Sequence, residues 1–229
     1  MIDHVHDLQS VREATERLLS AVAKLDNAAL AEESHLPGWT RGHVLAHLAR
    51  NADALVNVFE GRPMYVSGEA RDADIARDAD RPLEEQLADL RDSWTRFQAT
   101  TETPQDWSRT VELRNGVTDT ASRIPFRRLV EVELHHVDLN IGYELADLPA
   151  EFTAREIDFL ADRWSGNAGV PATELVSADG GTWRTGSAGE PAVTVRGTAP
   201  QLLAWLAGRA DKGASLTTEG GPLPALPPL

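Results

Sequence analysis

Apolar residues recur at helical spacing over four stretches in the first two thirds of the chain. Leu8, Val11, Leu18, Val22 and Leu25, with charges between them, predict an amphipathic helix over about 8–25. Asn27 breaks that pattern. Pro37-Gly38 then signals a turn, and Thr40 is placed to cap a second helix that runs to about Phe59. Its apolar stripe is Val44, Leu45, Leu48, Ala52, Leu55, Val56 and Phe59, with His43, His47 and Asn51 expected to flank the core rather than fill it. Residues 61–81 read as a long, partly helical connection. Pro82 opens a third helix, with Leu83, Leu87, Leu90, Trp94 and Phe97 on its apolar face up to about Thr100. Residues 101–124 read as irregular, and Pro125 opens a fourth helix that runs to about Ile141 and stops at Gly142.

The pattern changes after Pro149. A helix over about 151–164 gives way to short runs of strand character, Glu174–Ala178, Thr182–Thr185 and Ala192–Arg196, separated by glycine-rich turns. The first two read as a hairpin. Thr198-Ala199-Pro200 starts another helix through Trp205, Ser215–Thr218 supplies a candidate last strand, and the proline-rich tail from Gly220 reads as extended. These elements predict an α+β chain: a four-helix bundle over 1–149 followed by a small α+β domain over 150–229.

Composition narrows the function. With 36 acidic against 22 basic residues, a net charge of −14 offers no basic face for phosphates, so nucleic acid and anionic membranes are not expected partners. The N-terminus lacks a signal-peptide core and no apolar run reaches membrane-spanning length, which predicts a cytoplasmic protein, read as a monomer. Cysteine is absent, so the chain has no thiolate nucleophile or thiolate metal ligand of its own. Tryptophans 39, 94, 107, 164, 183 and 205 are scattered through both halves and read as core.

The candidate chemistry centres on the fourth helix. Glu131 and His135 are four apart and point the same way, and His47 on the second helix can supply a third ligand. Three protein ligands with an open position describe a catalytic zinc. Other readings compete: histidines on a helix face serve as a polar flank, Glu131 with His135 makes an ordinary helical ion pair, and Glu133 with His136 forms a Glu-x-x-His pair of the carboxylate-bridged kind. Asp138 either holds His135 by a ring nitrogen or is a solvated surface charge. Arg71 can clamp a carboxylate with two hydrogen bonds or belong to a surface ion pair.

Three segments together carry a resemblance: Gly38 to Ala52, Pro63 to Ser67 with Glu69-Ala70-Arg71, and Glu131 to Leu139. In these the chain resembles the mycothiol-dependent maleylpyruvate isomerases over its whole length. The resemblance implies a DinB-like bundle carrying the metal, followed by a C-terminal domain like the sterol carrier proteins. It further implies zinc ligands at His47, Glu131 and His135, a functionally required arginine at Arg71, and mycothiol as the second cofactor. His136 offers an alternative register, but the four-residue spacing favours His135. The implied reaction turns maleylpyruvate into fumarylpyruvate in gentisate breakdown, by reversible addition of a zinc-bound mycothiol thiolate, with Arg71 on a substrate carboxylate or the developing enolate. A mycothiol S-transferase on the same scaffold and a metal-free ligand-binding module are the alternative readings.

Overall fold

A computed structural model describes residues 2–210 and 213–227. The chain divides into two compact units, Met1–Tyr143 and Glu144–Leu229. The first is helical: α1 (His4–Val22), the short α2 (Asn27–Leu30), α3 (Arg41–Phe59), α4 (Gly68–Ala79), α5 (Leu83–Glu102) and α6 (Ile124–Asp138), with a two-stranded hairpin of β1 (Thr110–Glu112) and β2 (Thr118–Thr120) before α6.

Local chemistry starts these helices where the sequence permits. The Asp3 carboxylate accepts from the amides of Val5 and His6, and Thr40 caps α3 by accepting from the His43 amide while His43 Nδ1 accepts from the Thr40 amide. Ser67 caps α4, and Pro125 sits in the first turn of α6. The fourth helix ends at Asp138, earlier than its apolar spacing suggests, because Asn140 (φ 55°) and Gly142 (φ 91°) turn the chain into the left-handed region.

Helices α1, α3, α5 and α6 form the bundle: α3 packs against α5 and α6, and α1 against α6 and α5. Val11, Leu45, Leu55, Phe97, Ile124 and Leu139 are fully enclosed between them. Two links hold the start of α3 against the end of α6. Arg41 donates to the carbonyls of Leu139 (2.9 Å) and Asn140 (2.7 Å), and the His35 amide donates to the carbonyl of Asp138 (2.8 Å). They bring the first turns of one helix beside the last turns of the other, where the candidate residues lie.

Helix α4 closes on α3 so tightly that a Cβ at Gly42 would lie 2.1 Å from the Ala79 carbonyl oxygen. The obstacle is backbone and cannot rotate away. Gly42→Ala is expected to cost about 2 kcal/mol, read as a lower urea midpoint at unchanged slope.

In the second unit, α7 (Ala150–Arg163) and α8 (Ala199–Leu206) pack on each other and on a four-stranded sheet of β3 (Thr173–Ser177), β4 (Thr182–Thr185), β5 (Val193–Gly197) and β6 (Thr217–Glu219). The strand order is β4-β3-β5-β6, with β3 parallel to β5 and antiparallel to β4, and β6 antiparallel to β5. Leu175 and Val195 carry its core. The hairpin expected at 174–185 is present. Residues 101–124, read as irregular, contain the hairpin β1–β2. Its strands are three residues each and alternate only around Val111, too little for a period of two to register.

Candidate metal centre

His47 projects from the second turn of α3, and Glu131 and His135 from successive turns of α6. Glu131 Oε2 lies 2.9 Å from His47 Nε2 and 3.3 Å from His135 Nε2. The imidazole rings meet edge to face with centroids 4.6 Å apart. One ligand atom from each residue falls within 4.8 Å of the others, and this is the one such gathering of three or more metal-ligating side chains among the described residues. Tetrahedral zinc with bonds near 2.1 Å sets its ligands roughly 3.4 Å apart. The donor set and its spacing therefore fit such an ion.

The surroundings order these groups. Asp138, completely buried, holds His135 Nδ1 at 2.8 Å, so the other ring nitrogen faces Glu131. Arg71 reaches His47 Nδ1 at 3.2 Å from the far side and pairs with Asp72 at 2.6 Å. Arg71 also lies over the Tyr65 ring, 5.8 Å from its centre. Trp39 leans on His47 with centroids 5.6 Å apart. One turn before Glu131, buried Arg128 donates to the Leu48 carbonyl (2.9 Å) and to Asn51 Oδ1 (2.7 Å).

Burial sets the charge states first and the neighbours then correct them. Burial pushes His47 down to about 4, outweighing its hydrogen bond to Glu131, so it is neutral at pH 7. Burial would raise the Glu131 carboxyl, but hydrogen bonds from His135 and His47 hold it well below the usual range. Burial would lower His135, and Asp138 and Glu131 reverse that, leaving it above 6.5. Burial lowers Arg128 to about 10, still cationic at neutral pH. The cluster thus offers a carboxylate and one neutral imidazole, beside an imidazole whose proton Asp138 and Glu131 hold more tightly than usual.

The structure separates the competing readings. His43 is spent on the cap of α3 and stands outside the cluster. Glu133 is paired with Arg17 and accepts from the Tyr143 hydroxyl (2.9 Å), and His136 stacks on Tyr143, so both face away from Glu131. His47 and Asn51, expected to flank the core, are buried at 5% and 2% exposure, because α4 and α6 cover that side of α3. The expectation that all six tryptophans are core is corrected. Trp94, Trp164 and Trp205 are buried, whereas Trp39, Trp107 and Trp183 are partly exposed, and Trp39 borders the cluster. The sequence gives Tyr65 no chemistry of its own; helical spacing does place Arg128 on one polar strip with Glu131, His135 and Asp138, expected to be solvent-reachable, whereas Arg128 is buried.

A helical bundle with a His–Glu–His cluster between two of its helices, joined in sequence to a mixed-sheet domain, defines a class of two-domain proteins. The chain belongs to the mycothiol maleylpyruvate isomerase family. The profile described as "Mycothiol maleylpyruvate isomerase N-terminal domain" matches residues 11–140, and that of the "MDMPI C-terminal domain" matches 147–228. Two solved structures, titled as the mycothiol-dependent maleylpyruvate isomerase and its H52A mutant, each superpose with a TM-score of 0.88. Each is 28% identical in sequence, and the match covers 99% of this chain and 97% of theirs. The likeness supports an isomerase enzyme. Among curated proteins no sequence matches this chain. Among the described residues no helix is long and apolar enough to cross a membrane.

Proposed function

We propose that this chain isomerises maleylpyruvate to fumarylpyruvate with mycothiol as the nucleophile, as a cytoplasmic step of gentisate breakdown. The observation that carries the reading is the convergence of two imidazoles and a carboxylate at one point in a chain without cysteine. His47, Glu131 and His135 would hold a zinc ion, whose charge supplies the acidity that keeps a thiol deprotonated near neutral pH. A thiol added reversibly to the substrate's alkene leaves a single bond about which the cis arrangement can turn, and its departure restores the double bond with nothing consumed.

The protein's own part is positioning and charge. Arg71 would bind a substrate carboxylate or the enolate oxygen that appears as the conjugated carbonyl takes up the alkene electrons. The Tyr65 ring, 5.8 Å from that guanidinium, borders the space in which it can swing. A neutral His47 that turns Nε2 toward a metal carries its proton on Nδ1 and no longer accepts from Arg71, which frees the guanidinium for substrate. Asp138 fixes the His135 ring, and the Arg128 cation beneath adds positive potential to the same wall. The helical domain over 1–149 would carry this chemistry.

Product analysis tests the proposal. Maleylpyruvate mixed with the protein and a substoichiometric amount of mycothiol is expected to convert completely to fumarylpyruvate with all free thiol recovered. Thiol consumed one for one with substrate would instead make the chain an S-transferase.

A further inference from the structure

A cavity of about 530 Å³ opens between the loop 61–68 and the hairpin β1–β2. Tyr65 forms part of its wall, the Arg71 guanidinium lies over that ring at 5.8 Å from its centre, and Arg71 meets His47 Nδ1 at 3.2 Å. Cavity and cluster are therefore linked through two side chains. The hairpin is a firm wall. Its Val111 and Leu113 are buried, and Arg109 donates to the carbonyls of Val58 (3.2 Å) and Phe59 (2.8 Å) at the end of α3. At the tip Asn115 (φ 60°) and Gly116 (φ 71°) turn the chain, and the Leu113 amide closes the turn on the Val117 carbonyl (2.7 Å). Arg114 stands on this braced turn.

The chain carries a net charge of −14, yet this space is positive. Arg62 is offset by its pair with Glu60, which leaves Arg109 and Arg114 against Glu112, the one acid of the lining. Arg109 is committed to backbone carbonyls. Arg114 is exposed, and among the described residues its side chain makes no hydrogen bond or ion pair, so its whole fork of donors faces an incoming molecule. Burial and the Glu131 charge push the Tyr65 hydroxyl above its ordinary value while the Arg71 and Arg114 charges pull it back, so one phenol lies within the field of both guanidiniums. A concave positive pocket concentrates anions that the rest of an acidic surface repels.

We propose that Arg114 is a specificity residue that takes the remote carboxylate of a dianionic substrate, leaving Arg71 to the part of the molecule that reacts beside the cluster. The assignment rests on the isomerase reading above, whose substrate has a carboxylate at each end and reacts between them. It gives the enzyme a preference for dianions. A molecule with one carboxylate fills one guanidinium and leaves the other unpaired.

Binding and turnover test this separately. Calorimetric titration of the zinc-loaded protein uses heptanedioate, an unreactive acid with a carboxylate at each end, and its monomethyl ester. The wild-type protein is expected to bind the diacid about tenfold more tightly than the ester, and R114A to bind both alike at the level of the ester. E112Q, which removes the opposing charge, is expected to bind the diacid a few-fold more tightly than wild type. In turnover, R114A should raise KM for maleylpyruvate about tenfold with kcat and KM for mycothiol unchanged, because Arg114 meets a part of the substrate that does not react. Equal binding of diacid and ester by wild type, a diacid preference that survives in R114A, weaker diacid binding by E112Q, or a loss in kcat instead of KM would each overturn the assignment. A diacid preference that depends on Arg114, in a protein that fails to isomerise maleylpyruvate, would keep the anion site and remove the isomerase reading. Isomerisation by R114A at the wild-type KM would do the reverse.

Discussion

Arg71→Ala is expected to keep its full complement of zinc and to lose turnover by roughly two to three orders of magnitude, the usual cost of removing one donor aimed at developing charge. The guanidinium stands behind His47, contacts Nδ1 and not the nitrogen that faces Glu131, and is not one of the three converging groups. Removing it should therefore leave the metal in place. The loss should fall on kcat as well as on KM if the charge it meets grows in the transition state, and on KM alone if it merely tethers a carboxylate. Arg71→Lys keeps the charge but not the planar fork, and should recover only part of the rate. Metal analysis with steady-state kinetics on the three proteins decides the point. A variant that loses zinc with activity would move Arg71 into the metal-holding machinery.

His47→Ala and Glu131→Ala are expected to lose zinc and activity together. Each removes one of the three groups proposed to hold the ion, and Glu131 also supplies the oxygen on which both imidazoles converge. Asp138→Asn should be graded instead, weakening zinc binding by about 10- to 100-fold through a looser His135 ring. Competitive titration against a chelating dye measures all three. The same titration carries a pH signature. Since His135 titrates above 6.5 in the metal-free protein, binding must expel its proton at lower pH, so affinity should rise with pH by up to about tenfold per unit and level off once that group is neutral. His47, already neutral down to about pH 4, adds nothing to this slope in that range. The metal-free fold shows the opposite trend from His135. Its raised pKa stabilises the fold fully below the unfolded value of 6.5, and that contribution is lost as pH rises through the folded value.

Much of the helical domain could be read from the chain because its signals are local. Thr40 caps α3 within three residues of itself, Pro125 marks the first turn of α6, and Glu131 with His135 share a face by helical geometry alone. The third member of the cluster was harder. His47 looked like a flanking residue because helical spacing describes one helix, whereas its burial depends on α4 and α6 closing over α3. Asp138 was ambiguous for the same reason. Whether a carboxylate three residues past a histidine is solvated or buried depends on tertiary packing, which helical spacing does not describe; Asp138 is completely buried. Only the family resemblance favours a functional Arg71 over a surface ion pair, since an arginine among aspartates carries no mark of its own. The hairpin β1–β2 did have a local signal, Asn115-Gly116, but flanking strands of three residues gave it no alternation to join.

The account depends on a metal at the His–Glu–His cluster making an external thiol reactive. The direct measurement is turnover of maleylpyruvate with saturating mycothiol as zinc is removed and then restored. The expected result is that activity falls in proportion to bound zinc, reaches background in the metal-free protein, and returns at one equivalent. Normal turnover by protein that holds no metal would contradict it.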